Sequence, residues 1–327
     1  MDLRNLRYFI AVIDAGSLSK AAASLYVAQP ALTAQIKKLE TELGAQLLER
    51  SHVGVTPTPV GLQLYHDARR LLSDASAMQE RIRRSGASPE GSVTLALPLL
   101  LVALLAGPLL MTLKRACPRI RVFVLDDSSL MVRKAMVEGR ADLGILVDAP
   151  QVPKLICRPL AEESIFLYGR DPDRSVPVTP TGDGPPSVPF ATAAALPLVL
   201  QSARFSIRQN VERIAAERGI ALNVVHEHDS ARVIRSLYLA GAGFTFTPAS
   251  SAVEHPALGA GWLRARVVEP EITRSYQLAF AGGRAPSAAV RAVAELLVAQ
   301  VRGMVASGVW EARLPPAPPA PSGHRGD

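Results

Sequence analysis

The sequence is poor in cysteine, in aromatic residues and in long unbroken apolar runs, and each shortage excludes something. Two cysteines, Cys117 and Cys157, make no disulfide framework, which removes the small secreted scaffolds and fits a reducing compartment. Aromatics are 5% of a chain that is 48% hydrophobic, so aliphatic packing must carry the core. The most apolar run, Val93 to Met111, is broken by Pro98, Gly107 and Pro108, and fits a buried strand-turn-helix better than a membrane span. Met1-Asp2-Leu3-Arg4-Asn5 lacks the apolar stretch of a signal peptide, so a cytoplasmic protein with no membrane partner is expected.

Concentrated charge is missing as well. A formal net charge of +7 permits an anionic partner but does not name one. Residues 1–88 hold 3 Lys and 8 Arg against 8 Asp and Glu, a net of +3; the remainder holds 25 basic and 21 acidic residues, a net of +4. Charge therefore assigns nucleic acid to neither part. At 327 residues the chain suits two or three folded units.

The first sixty residues carry ordered helical punctuation. Leu3, Leu6, Phe9 or Ile10, and Ile13 share one helical face, and Gly16 stops that helix. Ser17 caps a second helix with Leu18, Ala21, Ala22 and Leu25 inside. Tyr26 and Val27 turn the chain, and Pro30 falls in the first turn of a third helix, where its missing N–H costs nothing. That helix is expected to bury Leu32, Ile36, Leu39 and Leu43 and to end at Gly44. Its other face carries Pro30, Thr33, Ala34, Lys37 and Lys38, with Gln29 and Ala31 at the N-terminal end. Short polar groups there suit base edges, and the lysines suit phosphates. Periodicity alone fits a plain amphipathic helix equally; the order of helix, tight turn, Ala-rich helix, turn and outward-polar helix favours a helix-turn-helix. Leu47–Pro57 then reads as a hairpin with Gly54 at its tip, a wing whose Arg50 can meet backbone or minor groove.

Several stretches carry a family likeness. They are Leu6-Arg7-Tyr8-Phe9, Gly16-Ser17-Leu18-Ser19-Lys20-Ala21-Ala22, Gln29-Pro30-Ala31-Leu32-Thr33, Ile36-Lys37-Lys38-Leu39-Glu40, Leu43-Gly44-Ala45-Gln46-Leu47-Leu48-Glu49-Arg50 and Thr56-Pro57-Thr58-Pro59-Val60-Gly61. In this order and spacing they resemble the LysR-type transcriptional regulators. The resemblance implies a multi-domain chain: an all-α winged helix-turn-helix at 1–58 and a long linker and dimerisation helix at 59–88. A two-lobed α/β effector domain resembling periplasmic solute-binding proteins would follow at 89–305, and a disordered tail at 306–327. It also implies an inverted-repeat DNA operator, a dimer or dimer of dimers, a small-molecule effector, RNA polymerase as a partner, and no cofactor. The DNA-binding set it implies is Ser17, Gln29, Pro30, Ala31, Thr33, Ala34, Lys37, Lys38, Arg50 and Thr58. Ala28 stands where a capping Ser is common in the family, Ala34 where an Arg is frequent, and His52 and Val53 at a wing tip that is often basic. Base reading then rests on Gln29, Pro30, Ala31 and Thr33.

Thr58 caps a long helix from about Pro59 to Gly86, ended by Arg81, Arg83 and Arg84, with a hinge at Ser85 to Gly91. Leu64, Ala68, Leu71, Ala75, Met78 and Ile82 recur by four and three, as in a coiled-coil seam, although such a stripe can also pack on its own domain. The resemblance assigns it to pairing of protomers.

Beyond Gly91 strands and helices alternate: strands at Ser92–Leu97, Arg121–Leu125 and Ala141–Val147, helices at Leu99–Ala116 (interrupted at Gly107-Pro108) and Leu130–Glu138. The theme repeats to Phe244–Phe246 and argues a largely parallel sheet. Asp171–Pro189 reads as a mobile surface insertion, and the Pro-rich 314–327 as disordered. Pro118–Val122, Glu138–Ile145, Asp229-Ser230 and Gly241–Thr245 resemble the family's effector domain, and Pro98–Leu100 with Ser202–Arg208 its nitrogen-assimilation-control branch. Candidate cleft residues, at strand ends where helices begin, are Leu99, Leu100, Ser128, Ser129, Ser202, Arg204, Phe205, Thr245 and Thr247. Many relatives carry at the Leu100 position a hydroxyl that anchors an effector carboxylate; its loss argues against a small carboxylate here.

Other constellations fall short. His226-Glu227-His228-Asp229 offers two His on one strand, half a closed zinc shell. Cys117 and Cys157 lack an activating surround, and Gly241-Ala242-Gly243 lacks the rest of a dinucleotide fingerprint. With no triad or carboxylate pair either, neither an enzyme nor a metal site is expected. The rival class is a solute-sensing module whose N-terminal segment only contacts protein.

Overall fold

The structure, a computed structural model, describes residues 2–51, 54–82, 89–150, 152–182, 184–254, 261–282 and 285–316. Three helices open the chain: α1 (Leu3–Ala15), α2 (Leu18–Ser24) and α3 (Gln29–Leu43). Gly16 and Gly44 end α1 and α3 in the left-handed conformation that glycine adopts without a Cβ clash. The core between them is Leu6, Phe9, Val12, Ala21, Ala22, Leu32, Ile36 and Leu39. Leu3 and Leu43, expected inside, are exposed: each occupies a terminal turn that overshoots the three-helix contact. Strands β1 (Leu48–Ser51) and β2 (Gly54–Pro57) form the antiparallel wing, which Val55 N–H ties to the Gly16 carbonyl at 2.9 Å.

Helix α4 (Pro59–Ile82) follows without a break. Thr58 accepts from Gly61 N–H at 3.0 Å and donates to the Gln46 carbonyl at 2.8 Å. Ala68 is 1% exposed inside the three-helix core, and Leu64 is half-buried against it. These two seam candidates therefore belong to their own domain, because α4 crosses α1 there. Leu71 is exposed and Ala75 half-exposed; the side chains of Met78 and Ile82, the arginines Arg81, Arg83 and Arg84, and hinge residues 85–88 lie outside what can be described.

The remaining elements, in chain order, are β3 (Gly91–Pro98), α5 (Leu99–Ala116), β4 (Ile120–Asp127), α6 (Ser129–Val137), β5 (Leu143–Val147), β6 (Leu155–Arg170), β7 (Thr179–Thr181), β8 (Gly184–Pro189), α7 (Phe190–Ala195), β9 (Leu198–Gln201), α8 (Ser206–Glu217), β10 (Val224–His228), α9 (Ala231–Leu239), β11 (Thr245–Pro248), β12 (Trp262–Val268), β13 (Thr273–Ala281), α10 (Ala288–Ala306) and β14 (Ala312–Arg313). They make two lobes, each with its own apolar cluster. The sheet runs β4-β3-β5-β13-β6-β12-β8-β7. It is mixed rather than largely parallel: β4-β3-β5 and β12-β8 are parallel, as is the separate pair β9-β10, while β13 and β6 run antiparallel to their neighbours. The cause is the sixteen-residue β6, whose first half pairs with β13 in lobe I and whose second half pairs with β11 and β12 in lobe II. Between the lobes, Ile165 N–H bonds the Ile272 carbonyl at 2.8 Å, so two adjacent strands form the crossing.

Three further expectations are corrected. Helix α5 runs through Gly107-Pro108; Gln300 of α10 donates to the Leu105 carbonyl at 3.0 Å, next to where the proline disturbs the helical ladder. With Leu101, Leu104, Leu105, Leu109 and Leu113 buried in lobe I, α5 is a core helix despite being apolar enough to span a membrane. The described residues of the 171–189 stretch belong to lobe II: the Asp171 carboxylate accepts from Ser175 and Val176 N–H, β7 pairs antiparallel with β8, and Val176 and Val188 enter the lobe II core. The tail does not begin at 306. Trp310 is 1% exposed and β14 pairs with β6, because the indole N–H finds a buried carboxylate, Glu163, at 2.7 Å. Residues 317–327 lie outside the described part.

Candidate functional site

The outward face of α3 forms as its periodicity predicts. Leu32, Ile36 and Leu39 point in; Gln29, Pro30, Ala31, Ala34, Lys37 and Lys38 are exposed and Thr33 is half-exposed. Ala28 occupies the cap position and makes no side-chain cap bond. Gln29 is held in place instead by Ser19 of α2, whose hydroxyl donates to Gln29 Oε1 at 2.8 Å. That bond ties the Oε1 edge of the Gln29 amide to α2. Ser19 was missed in the sequence because it lies ten residues away on another helix; only the packing of α2 on α3 brings it there.

Two other DNA-binding candidates already have structural tasks. Ser17 caps α2, accepting from Lys20 N–H at 3.5 Å. Thr58 uses its hydroxyl both ways at the start of α4. Arg50 lies in β1, its side chain beyond description, and His52 and Val53 lie outside the described residues.

Of the cleft candidates, Leu100 and Ser129 are brought to contacts between the lobes, while the others make local contacts. Leu100 half-buries itself against the lobe II cluster although it begins α5 in lobe I. Leu99 is exposed. Ser128 caps α6 by backbone alone. Ser202 donates to Asp229, which also pairs with Arg204 at 3.1 Å, and the Arg204 guanidinium lies over the Phe205 ring. Thr247 bonds Ser251 at 2.7 Å, and the Thr245 hydroxyl is buried without a partner. Ser129, at the start of α6, accepts from Arg274 Nη2 at 3.1 Å, and Ser206, at the start of α8, accepts from the same nitrogen at 3.2 Å. Arg274 and Ser206 were not foreseen. A signal existed for Arg274: it is in phase with the inward Tyr276 and Leu278 of β13.

Beside this junction lies Glu163, which is 1% exposed. It accepts from Tyr276 hydroxyl, Trp310 Nε1, and Ser250 N–H and hydroxyl. Burial pushes its pKa up, opposed by these donors, and pushes the Tyr276 phenol well above its ordinary value. Arg69 of α4 donates to Tyr65, itself bonded to Asp14 of α1, and to Thr94 of β3, linking helix-turn-helix and lobe I.

A family model described as a bacterial regulatory helix-turn-helix protein of the lysR family matches residues 3–62, and one for the LysR substrate binding domain matches 86–302. This chain belongs to the LysR family of DNA-binding transcriptional regulators. Within the LysR family it is 30% identical to the nitrogen assimilation regulatory protein nac of Klebsiella aerogenes, over 92% of this chain and 95% of that one. The Escherichia coli (strain K12) nac protein is 29% identical over 96% of this chain and 98% of its own length, which places the chain on the Nac-like branch. Among solved LysR-type structures, a full-length OxyR variant from Pseudomonas aeruginosa superimposes with TM-score 0.72 at 23% identity, covering 92% and 95% of the two chains. CbnR complexed with its target DNA gives TM-score 0.61 at 24% identity, covering 93% and 99%. Both support the fold. Among the described residues no cluster of His, Cys, Asp and Glu could hold a metal ion.

Proposed function

We propose that this chain acts in the cytoplasm as a homodimer, or a dimer of dimers, that reads an inverted-repeat operator with the exposed face of α3. The observation that carries the reading is exposed Gln29, set at the first turn of α3 with its Oε1 held by Ser19, which leaves the Nε2 donors for a partner. A side-chain amide so oriented offers donors to purine N7 and O6 or thymine O4 in a major groove. Ala31, Pro30 and Thr33 add short contacts, and Lys37 and Lys38 meet phosphate. Leu71 and the distal part of α4 supply the seam between protomers, Leu64 and Ala68 having been taken by the domain core. A small molecule at the lobe junction alters the geometry of the DNA-bound assembly by favouring one arrangement of the lobes. RNA polymerase is the partner through which that change acts, and no chemical step is assigned to the protein.

The test is selection of bound DNA from a random pool, followed by binding of wild type and Gln29→Ala to the selected site and to scrambled DNA. The variant should lose affinity for the site alone. Equal losses on both DNAs would remove Gln29 as a base reader. No preference for any sequence would favour a solute-sensing module instead.

A further inference from the structure

Helix α2 closes in a way that its own fold does not account for. Tyr26 N–H bonds the Ala23 carbonyl at 3.3 Å and Val27 N–H the Ala22 carbonyl at 3.1 Å, a turn that holds Tyr26 in the left-handed conformation with φ 55°. Helices α3, α6, α8 and α9 close with the same pair of bonds, and each puts glycine at that position: Gly44, Gly139, Gly219 and Gly241. A bulky side chain there crowds its own backbone, so Tyr26 is strained where its counterparts are not. Packing does not offset the strain. Tyr26 is 96% exposed, more than any other large apolar residue described, while Leu25 and Val27 on either side turn onto the three-helix core. Strain of this kind gathers at functional sites, and a ring that covers nothing of its own chain is free for a contact outside it.

Its place in the chain says what that contact is. Ser19 and Ala23, one turn apart on α2, are exposed, and the Ser19 hydroxyl reaches Gln29, so this side of α2 is continuous with the exposed face of α3. Only Val27 and Ala28 separate Tyr26 from Gln29, which keeps their Cα atoms within about 11 Å. A B-form major groove is about 12 Å wide and walled by phosphates. A side chain at that distance from one that reads a base edge therefore meets the wall of the groove and not its floor. The phenol O–H is a donor, and phosphate oxygens only accept. Resting on the reading of α3 as the operator-reading helix, we propose that the Tyr26 hydroxyl donates to one phosphate oxygen in each half-site. The bond fixes the depth at which Gln29 enters the groove. It anchors the N-terminal end of α3, where Ala28 has no side-chain oxygen and Ala34 no long donor, while Lys37 and Lys38 meet phosphate further along. The strained turn then has a use: it holds the ring out toward DNA instead of letting it fold back on the domain.

The experiment compares the full chain with Tyr26→Phe and Tyr26→Gly, in equilibrium binding to the selected operator and to scrambled DNA at one salt concentration, beside thermal melts. Tyr26→Phe keeps the ring and the strain and loses only the hydroxyl. It should weaken binding about five- to tenfold on both DNAs, with Tm unchanged. Tyr26→Gly should bind no better than the Phe variant yet melt about 2–4 °C higher, because the left-handed turn suits glycine. Operators carrying a single neutral methylphosphonate at successive positions of one half-site then locate the contact. One position should weaken wild type about five- to tenfold and cost Tyr26→Phe nothing further. A loss confined to the operator, a Gly variant that melts below wild type, or losses that add at every methylphosphonate position would each overturn the proposal. If wild type prefers its operator and Tyr26→Phe binds equally well, the phosphate contact is removed and the operator reading stands. If wild type prefers no sequence, both fall.

Discussion

Removing the Ser19 hydroxyl should weaken operator binding without touching DNA. Ser19→Ala deletes the bond to Gln29 Oε1, so Gln29 must be ordered on the complex at its own cost. A freely rotating Gln side chain loses up to about 2 kcal/mol of rotamer entropy when fixed. An exposed hydrogen bond returns only about 0.5–1 kcal/mol of that beforehand, at the lower end of the usual range. Loss of Gln29 itself removes a base contact worth about 1–3 kcal/mol, roughly five- to 150-fold in Kd. Ser19→Ala should therefore cost about two- to fivefold on the selected operator and nothing on scrambled DNA, whose binding rests on phosphate contacts. The double variant with Gln29→Ala should bind like Gln29→Ala alone, a coupling of about 0.5–1 kcal/mol. The assay is equilibrium binding at one fixed salt concentration, with thermal melts confirming that α2 remains folded. Strictly additive losses, or an equal loss on scrambled DNA from Ser19→Ala, would refute positioning of Gln29 by Ser19.

Three further substitutions probe the scaffold. Glu163→Gln presents an amide N–H₂ to groups that are all donors; one or two buried donors lose their acceptor at about 1–3 kcal/mol each, read as a lower Tm. Since the folded state raises the Glu163 pKa above 4.5, it binds more protons there than the unfolded chain does. The stability so gained is complete below that value and lost as pH rises through the folded one, so the variant's deficit should be widest in acid and narrow upward. A constant or widening gap contradicts the assignment. At Gly61 a Cβ would lie 1.9 Å from the Leu47 carbonyl oxygen, so Gly61→Ala should pry α4 from the wing, cost about 3 kcal/mol and weaken operator binding. Gly107→Ala, with open space around it in α5, should instead be neutral or stabilising by about 0.5–1 kcal/mol in the same melts.

The legibility of each element followed the range of the forces that shape it. The inward residues of α3 repeat every three or four positions, so Leu32, Ile36 and Leu39 could be placed by counting; Leu43 could not, because whether a terminal turn is covered depends on what lies beyond it. The α4 stripe was visible as a stripe, but which part met its own domain was set by the α1 crossing, which buries Ala68 and leaves Leu71 outside. Asp171–Pro189 looked like a loop by composition; an Asp171 turn and two valines made it part of lobe II. The stretch after Ala306 looked like a tail until Glu163, 147 residues earlier, supplied a partner for Trp310.

By itself, then, the sequence determined the winged helix-turn-helix, the exposed reading face of α3 and the alternating strands and helices behind it. Those features rest on capping, glycine stops and periodicity, which act between residues a few positions apart. Tertiary structure alone decided that Gln29 has an orienting partner, that β6 runs through both lobes, and that Arg274 meets Ser129 and Ser206. Ser129 is 145 positions from that arginine and Ser206 68, and a local pattern cannot encode a charge whose partners arrive only when two lobes close on the same strand.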